Sequence, residues 1–149
     1  MGIVPRRAYR TIDWYWHNLH AVRQAVREYE EDQIAAAGRQ VYSTDVGRGI
    51  GKHGEQTALL AINIIEGGPR EIRNYRRWLL VLDRVRKEVK GTDKEALINL
   101  YYEGGLNYKQ AASAMNVAIP TFYDRKEELV GLTYAAAIEA GLLRAFGGR

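Results

Sequence analysis

The chain has 149 residues, 46% of them apolar, a net charge of +4 and no cysteine. That length and apolar content suit one domain, or a small domain with an extension, and exclude wholesale disorder. The lack of cysteine excludes disulfides and thiolate metal sites.

The opening residues, MGIVPRRAYR, hold no apolar core of signal-peptide length, and Arg6 departs from the myristoylation pattern. No segment approaches the roughly 20 apolar residues of a membrane span. A cytoplasmic protein with no membrane partner is expected.

The first predicted helix runs over residues 7–37. Ile12, Tyr15, Leu19, Val22, Val26 and Tyr29 recur at alternating spacings of three and four, with Trp14 and Trp16 beside them. Such a seam either docks on the protein's own core or pairs with a second copy of the chain, which makes these six residues the candidate oligomer interface. Residues 38–54 hold five glycines and no helical pattern, apart from a short extended piece at Val41, Tyr42 and Ser43, and read as a linker. A phosphate-binding loop is refused there, because Val46 and His53 stand where the pattern needs glycine and a hydroxyl residue.

Glu55 to Glu66 predicts a short helix with Ala58, Leu59, Ile62 and Ile65 inward. Pro69 to Val89 predicts a longer one with Ile72, Tyr75, Leu79, Leu82 and Val85 or Val89 inward. Residues 69–91 carry eight basic side chains against three acidic ones, an excess larger than the net charge of the whole chain. If DNA is the partner, Arg73, Arg76 and Arg77 are candidates for phosphate attraction. The sequence Thr92-Asp93-Lys94-Glu95 is a capping box that opens a helix presenting Ala96, Leu97, Leu100 and Tyr101, closed by Gly104 and Gly105.

The segment from Asn107 to Leu129 has the layout of a helix-turn-helix. Asn107 can cap the first helix, Ala111, Ala112 and Met115 give it a small apolar face, and Asn116 tolerates the left-handed angles that end it. Val117 plugs the angle between the helices. Pro120 fits only in a first helical turn, so the second helix begins near Ile119. Phe122, Leu129 and Leu132 fall on its inner side, while Thr121, Asp124, Arg125 and Glu128 fall on the other. Ile119, Pro120, Thr121, Tyr123, Asp124 and Arg125 occupy the positions that reach base edges. Arg125 suits a guanine or a phosphate, and Thr121 a thymine methyl or a phosphate. Ala118 stands where a capping Ser or Thr would be better, and Asp124, Glu127 and Glu128 bring negative charge to this surface. An ordinary helical hairpin is the competing reading. The second helix extends to about Phe146, with Gly131 and Gly141 as weak points.

His17 and His20, with Asp13, are too thin a basis for a metal site. The two serines, Ser43 and Ser113, sit in no nucleophile motif, so neither an enzyme nor a cofactor is expected.

Residues 92–133 resemble the C-terminal region of the ArpU/RinA-type phage transcriptional regulators, itself similar to region 4 of sigma factors. The matching pieces are Ala96-Leu97-Ile98 to Tyr101-Tyr102, Tyr108-Lys109-Gln110-Ala111-Ala112, Val117, Thr121-Phe122-Tyr123 and Arg125-Lys126. A weaker likeness, through Glu55-Gln56-Thr57-Ala58 and the long basic helix, extends it to residues 42–133. The resemblance implies sequence-specific double-stranded DNA binding and control of phage late or packaging genes in a bacterial host. It adds Tyr108, Lys109 and Lys126 to the DNA-contacting surface and the host RNA polymerase to the partners.

The expected architecture is therefore all-α. A long N-terminal helix (1–37) and a glycine-rich linker (38–54) precede a helical DNA-binding domain (55–149) with its helix-turn-helix at 107–133. The expected function is transcriptional regulation by a homo-oligomer. A DNA-packaging protein of the small-terminase kind and a helical scaffold without nucleic acid are the alternatives.

Overall fold

A computed structural model describes residues 3–43 and 68–145. Every regular element among them is helical: α1 (Arg6–His17), α2 (Leu19–Ser43), α3 (Arg70–Glu88), α4 (Asp93–Leu97) running into a π-helical segment (Ile98–Glu103), α5 (Tyr108–Ala114) and α6 (Ile119–Glu139). The all-α class is as the periodicity predicts. The glycine-rich stretch from residue 44 and the helix expected over 55–66 lie outside the described residues.

The described residues fall into two compact units, one within residues 3–22 and 77–145, the other within 23–43 and 68–76. In the first unit, one core takes Ile12, Trp16 and Leu19 from the N-terminal helices and Trp78, Val81, Leu82 and Val85 from α3. Leu97, Ile98 and Tyr102 join from α4 and the π segment, and Phe122, Leu129 and Val130 from α6. In the second unit, Val26 is buried and the Arg76 guanidinium pairs with Glu30 at 3.1 Å. A Cβ at Gly68, whose φ is +106°, would lie 3.0 Å from the Tyr29 ring, so glycine suits both the backbone angle and the close approach.

Several expectations are corrected. The single helix over 7–37 is two helices, broken at Asn18 (φ −110°, ψ 17°). The Asn18 side-chain amide donates to the Trp14 carbonyl at 2.8 Å, the same oxygen that its backbone N–H uses. That local competition is how asparagine interrupts a helix. The break changes the buried face. Trp16, expected beside the seam, is buried, while Tyr15 is half-exposed and stacks on Trp78 with 4.5 Å between ring centres. Ile12, Leu19 and Val22 are 0–2% exposed within this chain. The seam thus takes its docked form over these residues, and they are not free to meet a second copy. The extended piece at 41–43 is helical, as α2 runs to Ser43. On α3 the buried face is Trp78, Val81, Leu82, Val85 and Val89, with Ile72, Tyr75 and Leu79 only partly covered.

The Thr92 box forms in altered shape. Thr92 makes no side-chain cap, its hydroxyl donating to Val89 O instead, and Glu95 accepts from the Gly91 N–H at 3.2 Å. Beyond Leu97 the wider π turns rotate the following side chains. Ile98 and Tyr102 become buried where Tyr101 was expected, and Tyr101 is half-buried. The segment stops at Gly104, where a Cβ would sit 2.6 Å from Leu100 O. Helix α6 ends at Glu139 rather than near Phe146. Gly141 (φ +75°) and Leu142 donate back to Ile138 O and Ala137 O, which terminates the helix in a left-handed cap.

The rotated tyrosines form an aromatic cluster with α1, in which His17 lies 4.6 Å from Tyr102 and 5.1 Å from Tyr101, centre to centre. Burial holds the His17 imidazole below its ordinary value, helped by Lys126 and opposed by Asp13. A depressed folded value means that the unfolded chain binds the proton more readily. The stabilisation is fully present above pH 6.5, the ordinary value, and is lost as pH falls below it through the depressed folded value. Denaturant unfolding should show stability declining below that pH, and His17→Gln should flatten this part of the profile. An unchanged profile would remove His17 as its source.

Candidate nucleic-acid interface

The hairpin of α5 and α6 is assembled from local rules. Asn107 Oδ1 accepts from the Gln110 N–H at 2.8 Å, and Gln110 Oε1 accepts from the Asn107 N–H at 3.1 Å, a complete capping box. Ala111 and Ala112 are buried where α6 crosses, and their small side chains let the two helices approach. Asn116 adopts φ 61°, and the N–H groups of Asn116 and Val117 close the helix onto Ser113 O and Ala112 O, each at 3.0 Å. Val117 is half-buried against the core, as expected of a plug. Ala118 is extended and gives α6 no side-chain cap, and Pro120 lies in the first turn.

The inner face of α6 is Phe122, Lys126, Leu129, Val130 and Thr133. Thr133 Oγ1 accepts from Trp16 Nε1 at 3.1 Å and donates to Leu129 O at 2.8 Å, so the buried hydroxyl is satisfied. Leu132 is only partly covered.

Lys126 is the clearest correction. Expected on the DNA surface, it is 9% exposed and packed inward. Its ammonium lies 3.3 Å from Asp13 Oδ1, and 5.2 Å and 5.8 Å from the ring centres of Tyr101 and Tyr9. Burial works against its charge, but Asp13 and the two tyrosines outweigh it and leave the ammonium above its ordinary value. Tyr102 donates to the same Asp13 oxygen at 2.8 Å, and its hydroxyl is pushed far above the ordinary tyrosine value, first by burial and then by that carboxylate. The signal was present in the sequence: position 126 is four after Phe122 and three before Leu129, on the inner stripe.

Arg125 is also engaged within the chain. Its Nε lies 2.6 Å from Asp93 Oδ2 and its Nη1 3.0 Å from Glu128 Oε1, while Lys94 Nζ approaches Glu128 Oε2 at 2.9 Å. The network ties α6 to the start of α4 and holds the Glu128 carboxyl below its ordinary value, mainly through the Lys94 hydrogen bond.

Five of the eight basic residues of 69–91 are likewise committed. Besides Arg76, Arg77 donates to Ala140 O at 2.7 Å, Arg84 pairs with Glu139 and Glu88, Arg86 with Glu103, and Lys87 with Asp83. Arg73 is exposed.

On the open side of the hairpin lie Tyr108, Lys109, Ile119, Pro120, Tyr123 and Asp124, with Thr121 half-covered. The rings of Tyr108 and Tyr123 are 5.7 Å apart, and Lys109 Nζ is 5.9 Å from the Tyr108 ring centre. A groove between the helices is lined by Lys109, Ser113, Asn116 and Ile119 among others. Sequence reasoning missed a second source of positive charge. Ile3, Val4 and Tyr9 line one cavity with Asp124, Arg125 and Glu127, so the first turns of α1 lie beside α6. Arg6, Arg7 and Arg10 are exposed on α1.

Among the described residues no group of three His, Cys, Asp or Glu side chains could hold a metal, and no helix is long and apolar enough to cross a membrane. Comparison with protein-family models, curated proteins and solved structures finds no match for the chain.

Two stability tests follow from this geometry. Asn116→Ala should cost about 1 kcal/mol, because a Cβ without asparagine's local hydrogen bonding is strained at left-handed angles, whereas Asn116→Gly should not. Equal losses for both would show that the asparagine side chain matters for something other than its angles. Arg125→Ala should lower the melting temperature at low ionic strength, and the deficit should shrink in high salt, since the pairs it removes are partly exposed and screened. A deficit independent of salt would point to packing instead.

Proposed function

We propose that the chain binds double-stranded DNA through α5 and α6, as a transcriptional regulator of the phage type. The observation that carries this reading is the hairpin itself. A firmly capped first helix and an asparagine-closed turn precede a second helix whose N-terminal half keeps Ile119, Pro120, Tyr123 and Asp124 open to solvent. That is the arrangement in which a recognition helix enters the major groove. The regulatory part rests on the resemblance of residues 92–133 to the ArpU/RinA-type regulators.

Phosphate attraction is assigned to Lys109, on the open side of α5, and to the exposed Arg6, Arg7 and Arg10 of α1. Arg73 keeps its proposed phosphate role, whereas Arg76 and Arg77 are held by Glu30 and the Ala140 carbonyl. Lys126 has no part in the contact.

Binding of a labelled duplex, followed by fluorescence anisotropy across a salt series, tests the reading. Affinity should fall with salt along a log–log line whose slope grows by about 0.9 for each phosphate contacted. Lys109→Ala should lower that slope by about 0.9 and weaken target and random duplexes alike, because phosphate contacts carry no sequence information. No binding at low salt, or a slope near zero, would refute the proposal.

A further inference from the structure

The chemistry of the open face narrows the base pairs it can read, an inference that rests on the DNA-binding proposal above. The solvent-facing stripe of α6 is Ile119, Pro120, Tyr123, Asp124 and Glu127, at helical spacings that place them on one side. Its first turns are apolar: Ile119 is 39% exposed and Tyr123 42%, with Tyr108 of α5 beside Tyr123. No cation stands on this stripe. Both basic residues of the helix's first half, Arg125 and Lys126, are held by carboxylates of this chain, Asp93, Glu128 and Asp13. Lys109, Arg6, Arg7 and Arg10 are exposed on other helices.

Guanine presents only acceptors, O6 and N7, to the major groove, and its usual partner is a bidentate arginine or lysine. Facing Asp124, those acceptors would meet another acceptor. Thymine presents a methyl group, which apolar side chains recognise, and cytosine presents an amino donor, which a carboxylate accepts. We propose that α6 recognises thymine methyl groups through Ile119 and Tyr123, next to a cytosine amino group bound by Asp124, and makes no arginine–guanine contact. Arg125 is then a positioning residue that fixes α6 against α4 and does not read a base.

The test uses the full chain. Duplexes retained from a random library define a bound sequence, and each thymine in it is then replaced singly by deoxyuridine, which removes the methyl and leaves base pairing intact. One or two positions should lose about 3- to 5-fold in affinity, the value of one buried methyl. At those positions Tyr123→Ala or Ile119→Ala should bind the thymine and deoxyuridine duplexes equally, although both more weakly than the unaltered protein does. Because the first change is made in the DNA, a folding defect cannot produce the result. Sequence-selective binding that ignores deoxyuridine at every position would overturn the methyl reading and leave the DNA proposal standing. Failure to retain any duplex at low salt would overturn both.

Discussion

One buried ion pair ties the rotational setting of α6 to α1. Lys126 lies within the apolar layer, its charge answered by Asp13 at 3.3 Å and by the faces of Tyr101 and Tyr9. A helix turned by one residue about its axis moves each side chain by about 100°, which would take Lys126 away from its carboxylate and leave Asp13 without it. The Thr133–Trp16 hydrogen bond, nearly two turns further along, sets the same orientation. A buried ion pair is weak evidence for net stability, because desolvation offsets much of the attraction, but breaking one by removing a partner is costly. Its consequence here is geometric. With Lys126 inward, Ile119, Tyr123 and Asp124 are outward, and the character of the exposed face follows.

The π-helical segment supplies the other half of this arrangement. Its wider turns bring both Ile98 and Tyr102 into the core. Tyr102 reaches Asp13, and Tyr101 packs on Phe122 with 5.2 Å between ring centres. The carboxylate of Asp13 therefore joins three helical elements, α1, the π segment and α6, through one oxygen. Burial and then the Asp13 carboxylate hold the Tyr102 hydroxyl above its ordinary value, and the same carboxylate, with Tyr9 and Tyr101, holds the Lys126 ammonium above its own against the cost of burial.

Formal charge is a poor guide to where this protein is electropositive. Of the eight basic residues of 69–91, four pair with Glu30, Glu139, Glu103 and Asp83, and one arginine caps the C-terminal end of α6 through Ala140 O. Exposed cations come instead from Lys109 of α5 and from the first turns of α1, a segment with as many acids as bases when counted over residues 1–37. The exposed stripe of α6 itself is left with aromatic and aliphatic groups and carboxylates, and the cation of the hairpin's open side is Lys109 of α5.

The sequence alone determined what depends on neighbours within about one helical turn. The Asn107 cap, the left-handed Asn116, the plug at Val117, Pro120 in the first turn and the Phe122–Leu129 face all stand as local chemistry predicts, because capping, turn angles and helical period involve residues three or four apart. The tertiary structure decided which side chains find distant partners. Tyr102 meets Asp13 across 89 positions, Arg125 meets Asp93 across 32, and Trp16 meets Thr133 across 117. Those pairings, with the break at Asn18 and the π turns after Leu97, turned the basic residues of α6 from expected groove contacts into internal partners and took Ile12 and Leu19 of the N-terminal seam into the chain's own core. The helical period places Lys126 on the inner stripe, but no local pattern names the partner, since a charged side chain has the same helical preference whether it faces water or a carboxylate from another helix.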